Sequence, residues 1–163
     1  MDSLSLIPDN VAAVLLEILR FTGLRRRILH DNIRCVDTPG FLPQDMPVQE
    51  FAEVLNNAVA EHLRNRRLLY RDTRNIAFGP NGSTRIRPVV DDHAHALLHQ
   101  NRDEYLELQV EKLLENALNR KVAMELLRCK CGVCPEVGDA DGDMTLTDGG
   151  PFESSSTHCD TAE

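Results

Sequence analysis

The 163-residue chain contains no tryptophan, and aromatic residues make up only 4% of it. Any core must therefore be built mainly from aliphatic side chains, and a thin one is expected. No apolar run approaches the roughly 18 residues of a membrane-spanning helix. Val11-Ala12-Ala13-Val14-Leu15-Leu16 is too short, and it lacks the basic flank and small-residue cleavage site of a secretory signal. These absences predict no membrane insertion and no cleavable leader. The phosphate-cradling pattern G-x-x-x-x-G-K-[ST], the nucleophile elbow G-x-S-x-G and the dinucleotide fingerprint G-x-G-x-x-G are missing too. No enzyme and no cofactor is expected.

Basic charge is missing from one end. Residues 135–163 carry eight acids (Glu136, Asp139, Asp141, Asp143, Asp148, Glu153, Asp160 and Glu163) and neither Lys nor Arg. The remaining 134 residues hold 18 basic and 18 acidic groups, within a total net charge of −8. A neutral body with an acidic tail lacks the basic footprint of a nucleic-acid binder. The tail is rich in Gly, Asp, Ser and Thr without apolar period, which predicts disorder in isolation.

What the chain does have is helical periodicity. Asp9 or Asn10 can cap a helix reaching to about Cys35. Val14, Phe21, Ile28 and Cys35 recur by sevens along it, and Ile18 belongs to a parallel series that Arg25 interrupts. Of the consecutive Arg25, Arg26 and Arg27, most should be solvated, because they point in three directions. A second helix is expected from about Pro47, suited to a first turn, to about Leu69. Its apolar face is Phe51, Val54, Leu55, Ala58, Val59 and Leu63. Residues 70–102 lose period and read as an irregular loop, with a short extended piece near Thr84–Val90.

The third helix, about 103–130, is the most regular. Leu106, Val110, Leu113, Ala117, Arg120, Met124 and Leu127 alternate steps of four and three, and only Arg120 breaks the apolar series. Leu114, Leu118 and Leu126 widen that face. The expected architecture is mainly α, a helical domain over 1–134 followed by an acidic tail over 135–163. Its N- and C-terminal helices would pair as a coiled-coil-like bundle through Val14, Ile18, Phe21 and Ile28 against Leu106, Val110, Leu113, Ala117, Met124 and Leu127.

Between the first two helices lies Asn32-Ile33-Arg34-Cys35-Val36-Asp37-Thr38-Pro39-Gly40-Phe41. Pro39 cannot continue a helix, and Pro39-Gly40 fits the centre of a type II turn. This string resembles the N-I-A-N-x-x-T-P-G-Y signature of bacterial flagellar axial proteins. Asn32, Ile33, Asp37, Thr38, Pro39 and Gly40 match it; Arg34, Cys35 and Phe41 depart from it. In length and layout the chain is similar to the short proximal-rod proteins of the FlgB type. In that layout Gln44-Asp45-Met46 and Phe51 follow the signature, and Asn101-Arg102-Asp103 leads into a C-terminal helix.

The resemblance implies a structural subunit of the flagellar basal-body rod, exported unfolded by the flagellar type III machinery. Its partners would be other rod and basal-body proteins and further copies of itself, in the periplasm-spanning rod. Asn32 would serve open carbonyls at the helix end, and Asp37 or Thr38 would fix the turn through local hydrogen bonds. Cys131-Gly132-Val133-Cys134-Pro135 stands where relatives carry an aromatic and apolar finish.

A rival reading is a helical interaction or zinc-binding module outside the rod. Cys129, Cys131 and Cys134, with the distant His158-Cys159, could supply soft ligands to zinc. Five cysteines do not form the even framework of a disulfide-stapled secreted miniprotein. His95 and His99 lie one turn apart, with His93, Asp91 and Asp92 near them, but the Glu of H-E-x-x-H is absent. Asp139–Asp143 only faintly suggests a calcium loop, since Met144 and Gly150 occupy the positions that need Gly and Glu.

Overall fold

The structure, a computed structural model, describes residues 10–130 and 132, with the backbone alone at Asn81. It is mainly helical. The acidic tail, Cys131 and Cys134 lie outside the described residues. The elements run α1 (Asn10–Arg34), β1 (Gln44–Asp45), α2 (Val48–Asn65), β2 (Ile76–Phe78), β3 (Thr84–Ile86), β4 (Val89–Val90), α3 (Asp92–Gln100) and α4 (Arg102–Lys130).

The two long helices lie antiparallel. Asn32 meets Gln109, Arg25 meets Glu115, Thr22 meets Asn116 and Leu19 meets Arg120, so rising numbers in α1 meet falling numbers in α4. The adjoining face of α1 carries the apolar core. Phe21 stacks on Phe51 of α2 with ring centroids 4.0 Å apart, and Met46 and Ile76 complete the buried cluster. Ile18, Leu24, Ile28, Leu55, Phe78 and Ile86 close around it.

The segment expected to be loop holds more order than its sequence suggests. Antiparallel β2 and β3 pair Ile76 with Ile86, and β1 pairs with β4 through Gln44↔Val90 and Asp45↔Val89. The β2–β3 hairpin docks on α1 at the buried Glu17, which accepts from Thr84 at 2.7 Å and from Arg20 at 2.6 Å. Residues 92–100 form α3, where loop was expected. Asp91 caps it by accepting the Ala94 amide at 3.0 Å, and Ala94 is fully buried. A nine-residue helix with a single buried alanine leaves little periodic signal.

Helix α2 stops at Asn65, four residues before the expected end. Arg66 turns to φ +58° and returns its amide to His62 O at 2.9 Å. A left-handed closing residue is usually glycine or asparagine. Here it is arginine, followed by apolar Leu68 and Leu69 that extend the apparent period.

Candidate functional site

The turn after α1 has the expected form. The Phe41 amide reaches Thr38 O at 3.2 Å, and Gly40 sits at φ +74°. That is the type II turn, with glycine where positive φ is required. Asp37 does not bond within the turn. It forms a two-pronged ion pair with Arg102 at the start of α4, at 2.6 and 2.9 Å. Both side chains are exposed, so the pair contributes under about 1 kcal/mol. Ile33 and Thr38 are half-buried, and Pro39 and Gly40 are exposed.

Asn32 has a larger task than serving its own helix end. It is 2% exposed. Its amide donates to Gln44 O at 2.7 Å and to Gln109 Oε1 at 2.9 Å, and its Oδ1 accepts from the Gln44 amide at 3.2 Å. Its backbone carbonyl receives the Tyr105 hydroxyl at 2.9 Å. One side chain thus joins α1, β1 and α4. The fully buried Tyr105 hydroxyl is pushed up to about 12, by burial first and then by Asp91. It remains a donor across the physiological range. Nε2 of the fully buried Gln109 has no partner among the described residues.

Two turns further back, a charged cluster ties the same elements together. Asp45 accepts from Arg25 Nε at 2.9 Å, from Arg25 Nη2 at 3.1 Å, from the Met46 amide at 2.7 Å and from Lys112 at 2.9 Å. Lys112 also bonds Asp91, and Arg25 reaches Glu115 at 3.2 Å. Burial alone would raise the Asp45 carboxyl. Hydrogen bonds from Arg25 and Lys112 outweigh it and hold the group below its ordinary range. Burial likewise disfavours the Arg25 and Lys112 charges, and the facing carboxylates overcome it and raise both. Such an array is an orienting lock with its charges paired.

The α1–α4 contact continues in polar residues. Asn116 donates to Thr22 O at 2.8 Å, and Arg120 donates to Leu19 O at 2.8 Å. The buried residues of α4 are Tyr105, Gln109, Asn116 and Ala123. Each stands one position before Leu106, Val110, Ala117 and Met124 of the expected seam. One residue is about 100° of helix rotation, so the apolar stripe is turned away from the helix it was expected to meet. Val110 and Ala117 are exposed, while Leu106, Leu113, Met124 and Leu127 are half-buried. On α1, Ile18, Phe21 and Ile28 face the core with α2, and Val14 is half-buried. The terminal helices pair, but the two expected seams do not face one another.

Two open features result on α4. Val110, Leu114, Leu118, Val122 and Leu126 are exposed at every fourth position, Leu114 at 66% and Leu118 at 62%. A groove of about 580 Å³ runs along one side of that ridge, lined by Val110, Leu113, Leu114, Ala117 and Met124 and by Arg26 and His30 of α1.

Sequence reasoning did not single out Tyr105, Gln109 or Lys112, and it reached Asp45 only through the resemblance. Arg25 and Arg120 were visible as breaks in apolar series, and a charge at a stripe position was the available signal. Both breaks are interhelical hydrogen-bond positions.

Of the candidate metal ligands, Cys129 is an exposed free thiol at the end of α4. His95 and His99 bring their Nε2 atoms to 3.1 Å, with rings edge-on at 4.6 Å. Among the described residues no three His, Cys, Asp or Glu side chains gather in a metal-holding group, and no helix is long and apolar enough to cross a membrane. Comparison of the chain with protein-family models, with curated proteins and with solved structures finds no match.

Proposed function

We propose that the chain is a structural subunit of the bacterial flagellar proximal rod, assembling with other axial proteins and its own copies into a helical tube. The observation that carries this reading is the exposed apolar ridge of α4, Val110, Leu114, Leu118, Val122 and Leu126. Five large aliphatic groups in one line on a small chain are a liability unless another surface covers them. A neighbouring copy meeting that ridge with a different face makes a heterologous contact, and such contacts propagate into a helix when they do not close. The coiled-coil-like pairing then lies between subunits, and the polar α1–α4 interface holds each subunit's shape.

The signature supports the same reading. Asn32 joins α1, β1 and α4, and Asp37 clips the turn to the start of α4, so the motif fixes the angle at which two assembling helices leave one junction. The flagellar type III machinery would deliver the chain unfolded to the periplasm-spanning rod.

Deletion of the gene in the bacterium that carries it tests this, with purified basal bodies imaged by electron microscopy. Loss of rods is expected, with rescue by the intact gene. Complementation with Leu114→Asp should fail although the purified variant keeps its helical signal, because the site is exposed in the single subunit. Intact rods after deletion, or full rescue by Leu114→Asp, overturns the reading.

A further inference from the structure

The groove beside the α4 ridge carries a second property, the charge along its rim. Its apolar floor of Val110, Leu113, Leu114, Ala117 and Met124 is rimmed by Arg26, His30, Arg120, Lys121 and Arg128. An adjoining hollow of about 500 Å³ shares Arg26, His30 and Arg120 and adds Arg27. Arg128 pairs with Glu125 at 3.0 Å, and Arg120 is engaged by Leu19 O. Arg26, Arg27 and Lys121 have no carboxylate within ion-pair distance among the described residues. Arg26 and Lys121 thus stand without ion-pair partners on the groove, and Arg27 stands beside it in the hollow that Asp31 also lines.

The complement lies in the same chain. Residues 135–163 hold eight acids and no Lys or Arg, with Val137, Met144, Leu146 and Phe152 set among them. Four residues separate them from Lys130, the last described residue of α4. From there back to Val110 is 20 helical residues, about 30 Å at 1.5 Å each. Roughly ten extended residues cover that distance, and the segment has 29.

We propose that this acidic segment docks in the α1–α4 groove of its own chain, its carboxylates against Arg26, Arg27 and Lys121 and its apolar side chains on Val110, Leu113 and Leu114. Tethering raises the effective concentration into the millimolar range for a short linker, so individually weak contacts suffice. The proposal stands apart from the rod reading, since any function leaves the same groove and the same tail.

Zero-length carbodiimide cross-linking of the full-length protein, followed by peptide mass spectrometry, tests it. Lys121 is the only lysine on the groove; Lys112 is held between Asp45 and Asp91. Expected are bonds from Lys121 to acids between Glu136 and Glu163 within monomers. They should be lost in 1 M salt, where the screening length falls to about 3 Å. The double variant Arg26→Glu/Arg27→Glu changes two exposed side chains. It should cut the Lys121 yield about tenfold, while Arg64→Glu/Arg67→Glu, outside the groove lining, leaves it unchanged. Circular dichroism of each variant checks that the helices persist. Cross-links confined to Lys130, Lys121 bonds found only in covalent dimers, or a yield indifferent to the Arg26/Arg27 reversal would each overturn the proposal.

Discussion

Helix α1 has two working faces, and they are built on opposite principles. Toward α2 it presents Ile18, Phe21 and Ile28 to Phe51, Met46 and Ile76, an apolar cluster in which shape and area do the holding. Toward α4 it presents Thr22, Arg25 and Asn32, each with a hydrogen-bonded counterpart on α4. Apolar burial is strong and nearly indifferent to sliding by a turn. A buried polar pair is satisfied in one register and costly in all others. The first face supplies the attraction that folds the chain. The second determines where α4 must lie, and it lies with its own aliphatic stripe turned outward.

Truncating each face in turn separates these roles, and these are the largest effects expected. Phe51→Ala removes half of the Phe21–Phe51 stack at a site 5% exposed and should cost about 3–5 kcal/mol in chemical denaturation. Asp45→Ala should cost about 3 kcal/mol, because it leaves the buried Arg25 guanidinium with only the exposed Glu115 and leaves Lys112 with Asp91 alone. The distinction lies in what survives. Phe51→Ala should keep α4 in register, seen as persistent protection of the Asn116 and Asn32 side-chain amides by NMR. Asp45→Ala should lose it. If the two variants lose that protection equally, the division of labour between the faces is wrong.

The same contrast explains what could be read from the residues alone. The C-terminal end of helix α1 was legible to within a residue, as was the type II turn at Pro39-Gly40, because proline and glycine act locally. The existence of α4 was legible from its helix formers, but its orientation was not. The series Leu106, Val110, Leu113 describes the most apolar side of the helix, and nothing local says that this side will be left open. Gln109 and Asn116 became the inward positions through partners 77 and 94 residues away in sequence. Helix α3 was missed because the Asp91 cap precedes a run rich in histidine. The junction's chemistry was half visible, in Arg25 and Arg120 breaking their stripes, and the rest depended on strand pairing that brings Asp45 beside Val89.

A smaller effect distinguishes the faces through pH. Asp45 titrates below its ordinary value near 3.8. A depressed folded value means a contribution fully present above the unfolded value and lost as pH falls through the folded one. Stability measured by denaturant should therefore decline as pH drops below about 4. Glu50 adds to that limb, because hydrogen bonds from Thr73 first, and from Asn75, also lower it against burial. Asp45→Asn should flatten the acid limb in part while lowering the plateau. Phe51→Ala should lower the plateau and leave the slope as it was. On the alkaline side Lys112, raised above 10.5, loses its contribution only as pH climbs through that raised value. An acid limb of equal slope in Asp45→Asn and the unaltered protein would remove Asp45 from the account.

The smallest effect expected is a gain, and it tests how tightly the polar face is built. Gly23 sits inside α1 where a Cβ would meet Arg120 Nη1 at 3.4 Å, an ordinary contact with the far end of a flexible side chain. Glycine inside a helix costs about 0.5–1 kcal/mol relative to alanine. Gly23→Ala should therefore stabilise the protein by up to about that amount, provided Arg120 keeps its 2.8 Å bond to Leu19 O. Loss of stability instead would mean that Arg120 has no freedom to yield a few tenths of an ångström. The polar face would then be packed as closely as the apolar one, and the glycine would be a requirement of the α1–α4 register, with Arg120 laid across it as the outermost rung of that contact.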